Sequence, residues 1–143
     1  METWMITGVT GFLGPRVEVT LREKGEVEVL PMTREELNFT DEEQVKRVLG
    51  TLHPDVLVHA AAVSDTGACE RDPEGSWKVN VTGVEYLSKA CRENGTKLIF
   101  ASSDQVYTGS EVRTPHREDE ILTPANVYGR EKLEAERIVA NWC

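Results

Sequence analysis

The sequence predicts an α/β fold of the Rossmann type, a doubly wound parallel sheet with helices on both faces. Apolar, strand-like segments alternate with helical patterns along the 143 residues. The first of these segments runs directly into a glycine-rich turn at residues 7–14. The length suffices for one hydrophobic core and is too short for two ordinary domains. We therefore interpret residues 1–143 as one domain.

Four strands are predicted, each rich in Val, Ile, Leu or Phe, over residues 2–7, 26–32, 55–61 and 96–102. Helical connections of this length favour right-handed crossovers and parallel pairing. The expected strand order is the Rossmann order 3-2-1-4. This order places a binding crevice between the first and fourth strands, where the direction of winding reverses.

Four helices are predicted between and after these strands. Pro15 is tolerated in the first turn of the first helix, and Gly25 ends that helix. Residues 40–43, with the sequence TDEE, form a capping box that begins the second helix at Thr40. The predicted helices span residues 12–24, 40–52, 73–94 and 126–141. The charges at residues 130–137 are interpreted as a solvated helix face.

The composition excludes several classes of function. The net charge of −9 repels nucleic acid and acidic membranes. No run of 18 apolar residues and no signal-peptide pattern is present, so we expect a cytosolic protein without a membrane span. The three cysteines form no CxxC pair, and the three histidines lack ligand spacing. No metal site is expected.

The glycine-rich turn is a candidate phosphate-binding site. Glycine allows the backbone to approach a pyrophosphate closely, and the N-terminus of the following helix favours an anion. The candidate residues are Gly8, Thr10, Gly11, Phe12, Leu13 and Gly14. An ordinary glycine-rich turn remains the alternative.

Residues at the end of the second strand indicate whether the site prefers NAD(H) or NADP(H). An acidic residue that binds the ribose of NAD(H) is expected about 20 positions after the glycines, and this sequence has Thr33 followed by Arg34. An arginine suits a 2′-phosphate, so NADP(H) is preferred. NAD(H) stays possible because Glu35 could bind a ribose hydroxyl, and Arg34 could instead be a solvated loop charge.

A tyrosine and a lysine near the C-terminal end have the spacing of a proton-transfer pair. Tyr128 and Lys132 lie four residues apart on a predicted helix and share a face. A nearby ammonium stabilises phenolate, so we expect the pKa of Tyr128 to be lowered towards the working pH. A surface pair is the alternative.

Five motifs in order give the sequence a resemblance to the extended short-chain dehydrogenase/reductases, which covers essentially the whole chain. Besides the glycine turn, they are residues 58–62 (VHAAA), 80–83 (NVTG), 101–107 (ASSDQVY) and 124–132 (PANVYGREK). Residues 69–74 (CERDPE) and the tail of the serine motif are most similar to the dTDP-4-dehydrorhamnose reductases, which reduce the keto group of a nucleotide-linked sugar with NADPH or NADH.

The resemblance assigns roles to individual residues. It implies that Ser103 binds the substrate oxygen, that Tyr128 protonates it, and that Lys132 also holds the nicotinamide ribose. It adds cofactor contacts at Asn38, Phe39, Ala60, Ala61, Ala62, Asn80, Ser102 and Tyr128. Ordinary strand–helix packing is the alternative for Ala60 to Ala62. The family usually has an acidic residue where Asn38 stands, so that contact is open. His59 is interpreted as a packed neutral histidine, and Asn80 as a brace for backbone near the site.

The resemblance also implies that residues 1–143 are the partial NAD(P)-binding domain of a longer enzyme. Family members continue with further strands and a substrate domain, so we expect little activity from these residues alone, and self-association through the fourth strand. Three alternatives stay open: a nucleotide-sugar epimerase or dehydratase, a non-catalytic NADP-binding regulatory subunit like that of methionine adenosyltransferase, and an interaction domain with a vestigial pocket.

Overall fold

The computed structural model describes residues 1–107 and 114–143. A single sheet of four parallel strands is formed by β1 (Glu2–Thr7), β2 (Val27–Met32), β3 (Val56–His59) and β4 (Lys97–Phe100). The predicted α/β fold and its four strands are confirmed. The third and fourth strands end two residues earlier than predicted, and the residues after them enter the cleft described below.

The strand order is β2-β1-β3-β4, so the predicted order 3-2-1-4 is wrong. β3 pairs with β1 from Trp4↔Val56 to Thr7↔His59, and with β4 on its other edge. The predicted order would have placed β2 between two strands. Pro31 in β2 has no N–H for a second ladder, which suits an edge strand. The winding therefore reverses between β1 and β3, still beside the glycine turn.

The helices lie close to their predicted positions. They are α1 (Leu13–Lys24), α2 (Glu42–Leu52), α3 (Thr66–Arg71), α4 (Pro73–Trp77), α5 (Gly83–Asn94) and α6 (Val127–Trp142). A π-helical segment, Lys78–Thr82, joins α4 to α5, and Asp104–Val106 form a 3₁₀ turn. The predicted third helix is thus a run of three helical segments, and α3 was not predicted.

The N-cap of α2 is Asp41 and not the predicted Thr40. The Asp41 carboxylate accepts a hydrogen bond from the Gln44 N–H at 3.1 Å, as an N-cap does. The Thr40 hydroxyl instead donates to Asn38 Oδ1 at 2.7 Å within the preceding turn. A local turn therefore competes successfully for the threonine side chain.

The two faces of the sheet carry separate hydrophobic clusters. On one face, Met5 and Leu57 pack against α2 and α5 through side chains such as Leu49 and Leu87. On the other face, Ile6, Val29, Val56 and Val58 pack beneath α1. Packing on both faces positions the carboxyl ends of β1 and β3 at the edge where the glycine turn begins. Within the two described stretches of chain, every helix is too short or too polar to cross a membrane.

Candidate active site

The glycine turn closes directly onto the residues that follow β3. Gly8 has φ +76°, and a Cβ on it would lie 2.7 Å from Ala60 C and Ala61 N. The Gly11 N–H donates to the Gly8 carbonyl at 3.0 Å. Because only glycine fits this contact, the turn and the end of β3 form a floor made of backbone.

A cleft lies above this floor in two connected parts. One cavity of about 220 Å³ extends towards the end of β2, and a second of about 340 Å³ extends towards α6. They share Gly8, Thr10, Ala61 and Ala62. The first also includes Thr33, Arg34, Asn38 and Phe39, and the second Gly11, Phe12, Leu13, Ala60, Ser102, Tyr128 and Lys132. Most of the predicted site residues are thus brought to one cleft.

Three predicted residues lie outside the cleft lining. Gly14 is buried beneath the turn, where a Cβ would be 2.2 Å from the Gly8 carbonyl oxygen. Ser103 lies just past the cleft, and its hydroxyl accepts from the Gln105 N–H at 3.1 Å. Asn80 lies behind the wall, where it binds both backbone groups of Val63, N–H and carbonyl, at 2.9 Å. A direct contact of Asn80 with a cofactor stays a prediction.

Arg34 lies at the mouth of the first cavity, and no residue in the described part of the chain pairs with its side chain. The Thr33 N–H and hydroxyl both donate to Glu36 at 2.8 Å, and these bonds, the backbone bond foremost, lower the pKa of that carboxyl. Glu36 is therefore engaged by Thr33. Arg34 is exposed and forms neither a hydrogen bond nor an ion pair with any residue in the described ranges. Its guanidinium is available to an anion.

His59 is part of the packing beneath the cleft. Its ring is 1% exposed, meets Phe39 edge-to-face with ring centroids 4.8 Å apart, and places Nδ1 2.7 Å from the Thr7 hydroxyl. Burial lowers the pKa of His59 to about 3, so the ring is neutral at physiological pH. This bears out its interpretation as a packed neutral histidine.

Lys132 points its ammonium at the backbone beyond β4. Nζ donates to the Ala101 carbonyl at 2.7 Å and lies 4.6 Å from the centroid of the Phe100 ring. The residue is 4% exposed. Burial lowers the pKa of Lys132 to about 8, and the negative charge of Glu136 opposes that change. Lys132 is therefore part of a buried polar site and not of a solvated helix face.

The pKa of Tyr128 is raised, and the expected lowering is wrong for this structure. Burial is the main cause, and interaction with the Ser103 hydroxyl acts in the opposite direction. The Lys132 ammonium is committed to the Ala101 carbonyl and lies 6.0 Å from the Tyr128 ring centroid. Tyr128 is therefore a protonated phenol at neutral pH, which is the form that can donate a proton.

Two hydrogen bonds fix the first turn of α6, and a close contact brings it against residues 101–107. The Asn126 side chain accepts from the Gly129 N–H at 2.7 Å, and Glu70 accepts from the Val127 N–H at 2.8 Å. A Cβ on Gly129 would lie 2.3 Å from the Gln105 carbonyl oxygen, so glycine lets the helix approach closely. These contacts bring Tyr128 next to Ser103.

Sequence reasoning missed the buried carboxylate of Glu131. It is 1% exposed and accepts hydrogen bonds from Ser76 Oγ at 2.5 Å and from Asn80 Nδ2 at 2.8 Å. Because Asn80 in turn binds Val63, this network joins α6 to the cleft wall. The only signal in the sequence is a glutamate beside Lys132, which is indistinguishable from a surface charge.

The sequence matches one protein family, and related proteins are similar to it over almost the whole chain. The family described as "RmlD substrate binding domain" matches residues 2–143. A dTDP-4-dehydrorhamnose reductase of Aggregatibacter actinomycetemcomitans is 32% identical over 97% of this chain and 47% of its own length. Methionine adenosyltransferase 2 subunit beta of Xenopus laevis is 37% identical over 94% of this chain and 42% of its length.

A solved structure is similar in fold over the same extent. The crystal structure of dTDP-4-dehydrorhamnose reductase from Bacillus anthracis in complex with NADP has a TM-score of 0.93 and 27% identity, covering 99% of this chain and 50% of that one. The chain therefore spans about half the length of the relatives it matches.

Proposed function

Because the chain belongs to the family described as RmlD substrate binding domain, we propose that it forms the dinucleotide-binding part of an NADP(H)-dependent reductase for a nucleotide-linked keto-sugar. The observation that carries this proposal is a single cleft, lined both by the glycine turn and by Tyr128 and Lys132. A turn suited to a dinucleotide next to a proton donor is an arrangement that serves hydride transfer from a nicotinamide to a carbonyl.

The residues of the cleft fit a phosphorylated dinucleotide. The Gly8 to Ala61 contact leaves a floor of backbone with no side chain in the way. Arg34, which pairs with no residue of the described ranges, places a cation at the rim of the first cavity. The candidate cofactor contacts are the glycine turn, the Ala60 to Ala62 wall, Thr33, Arg34, Asn38, Phe39 and Ser102, with Asn80 acting on the wall from behind.

The proposed chemistry divides between three side chains. A bound nicotinamide would supply hydride to the carbonyl carbon. Tyr128, a phenol that is protonated at neutral pH and whose pKa burial raises further, donates its proton to the carbonyl oxygen. Ser103 hydrogen-bonds that oxygen, and Lys132 holds the nicotinamide ribose. The test is NADPH oxidation by the full-length protein with a dTDP-linked 4-keto-sugar. Binding of NADPH without oxidation would leave only the cofactor-binding part of the proposal standing.

Cofactor choice can be tested at Arg34. We expect Arg34→Ala to weaken NADPH binding about 10-fold or more, because a charge-assisted hydrogen bond to the 2′-phosphate is lost. NADH lacks that phosphate, so its affinity should change little. Isothermal titration calorimetry with both dinucleotides measures the difference. Arg22→Ala, at an arginine on the far end of α1 paired with Glu18, is the matched control. Equal losses for NADPH and NADH would identify Arg34 as a surface charge.

A non-catalytic regulatory role is a second candidate. It is favoured by the 37% identity to a methionine adenosyltransferase subunit, which exceeds the 32% identity to the reductase named above. Tyr128, Lys132 and Ser103 are all present in this chain, and they favour the reductase. Ketone reduction by the full-length protein would exclude a purely regulatory role.

The edge of β4 leads to a further proposal, that the 143-residue chain self-associates. Within the described residues β4 pairs only with β3, and Ile99 on it is 38% exposed. Unpaired apolar edges recruit other strands. Light scattering over a dilution series should show an apparent molecular mass that decreases as the chain is diluted. Ile99→Lys should lower that apparent mass to the monomer value at every concentration. Val19→Lys, at another exposed apolar residue, should not. A parent chain that is monomeric at every concentration would refute self-association.

A further inference from the structure

Three side chains on one face of α6 contact residues 101–103, which follow β4. Tyr128, Lys132 and Glu136 are spaced four residues apart and therefore share a helix face. Lys132 donates to the Ala101 carbonyl at 2.7 Å, and the Glu136 carboxylate accepts a hydrogen bond from the Ser102 hydroxyl. Tyr128 interacts with Ser103. Each of the three consecutive residues 101–103 is thus engaged by one helix side chain.

We propose that Glu136 is a positioning residue for Lys132, which keeps the ammonium charged and seated in the cleft through its own negative charge and its tether to Ser102. The inference rests on the proposed function, since it assigns a purpose to the charge of Lys132. Ser102 and Lys132 line the same cavity, so a carboxylate that fixes Ser102 also fixes the wall beside the ammonium.

The groups that surround the Lys132 ammonium are neutral, so the charge of Glu136 has a large influence on the pKa of Lys132. Nζ binds a neutral carbonyl and faces the Phe100 ring, and Lys132 forms no ion pair with any residue of the described chain. Among the titratable groups around it, His59 on β3 is neutral and Tyr128 is a protonated phenol.

The other carboxylates near this site are engaged elsewhere or act on another group. Glu131 binds Ser76 and Asn80, and Asp104 of the 3₁₀ turn raises the pKa of Tyr128. Glu136 is the carboxylate that raises the pKa of Lys132 against the effect of burial. With burial alone, that pKa would fall below about 8 and the ammonium would lose its proton closer to neutral pH.

Two substitutions separate the charge of Glu136 from its hydrogen bond. Glu136→Gln keeps an acceptor for the Ser102 hydroxyl and removes the charge. Ser102→Ala keeps the charge and removes the tether. The readout is the pKa of Lys132 in the full chain, measured by the pH dependence of lysine labelling with an amine-specific reagent and mass spectrometry. Glu134→Gln is the control, because Glu134 lies on the same helix and pairs with Arg137 at 3.3 Å.

We expect the pKa of Lys132 to fall by about one pH unit in Glu136→Gln, by less in Ser102→Ala, and not at all in Glu134→Gln. An unchanged pKa in Glu136→Gln overturns the proposal. If Glu136→Gln does not fold, the test is made with Ser102→Ala. An unchanged pKa of Lys132 in Ser102→Ala then overturns the proposal.

Titration of NADPH into the parent chain distinguishes this inference from the proposed function. A chain that shows the Lys132 changes and does not bind NADPH contradicts the cofactor assignment alone. A chain that binds NADPH and shows no change at Lys132 contradicts the role of Glu136 alone.

Discussion

Tyr128→Phe should reduce ketone reduction by the full-length protein by about 10²–10⁴-fold, the usual contribution of a positioned general acid. The substitution removes a single oxygen atom from a side chain that is 7% exposed. The ring keeps its packing, so the fold and the affinity for NADPH should be unchanged. The decrease should appear in kcat, since the lost proton transfer belongs to the transition state. Stopped-flow measurement of NADPH oxidation, with calorimetric NADPH binding, tests both parts.

Two comparisons make this result specific. Tyr86→Phe removes the same oxygen from a tyrosine packed against the core between α5 and the sheet, and should leave turnover unchanged. Lys132→Met should reduce both turnover and NADPH affinity, because the lysine is proposed to act on the ribose as well. Full turnover by Tyr128→Phe would show that the proton comes from another group.

Gly14→Ala should be the most damaging single-methyl change in the glycine turn. The added Cβ would lie 2.2 Å from the Gly8 carbonyl oxygen and 2.6 Å from its carbon. Both are backbone atoms and cannot rotate away, so the turn must open. Such a clash costs about 1–3 kcal/mol of stability, and the opened turn should bind NADPH at least ~10-fold more weakly. Thermal unfolding and calorimetry measure the two effects.

The matched control is Gly50→Ala in the last turn of α2. The nearest atom to its added Cβ is Asn94 Oδ1 at 4.0 Å, which leaves room for a methyl group. Replacing a helical glycine by alanine should stabilise the chain, by at most about 0.5–1 kcal/mol, the value for a helix interior. A Gly14→Ala chain that melts and binds NADPH as the parent does would mean that the turn is not closed as described.

Local patterns were sufficient to predict the four strands, most of the helices and the glycine turn, while the family resemblance supplied many of the other cleft residues. The apolar segments, the glycine turn and Gly25 each depend on neighbours within a few residues, so their conformations can be read along the chain. The spacing of Tyr128 and Lys132 was likewise enough to place them on one helix face. The roles assigned to the site residues stay predictions, because the structure places these residues without testing what they bind.

Tertiary structure alone decided the strand order and the state of the ionisable groups. Strand pairing joins residues far apart in sequence, and only the edge preference of Pro31 hinted that β3 would pair with β1 and not with β2. The raised pKa of Tyr128, the lowered pKa of Lys132 and the burial of Glu131 all follow from solvent exclusion by α6 and its partners. A sequence records which groups can ionise. The free energy of their charges depends on water and partners that only the folded chain brings or removes.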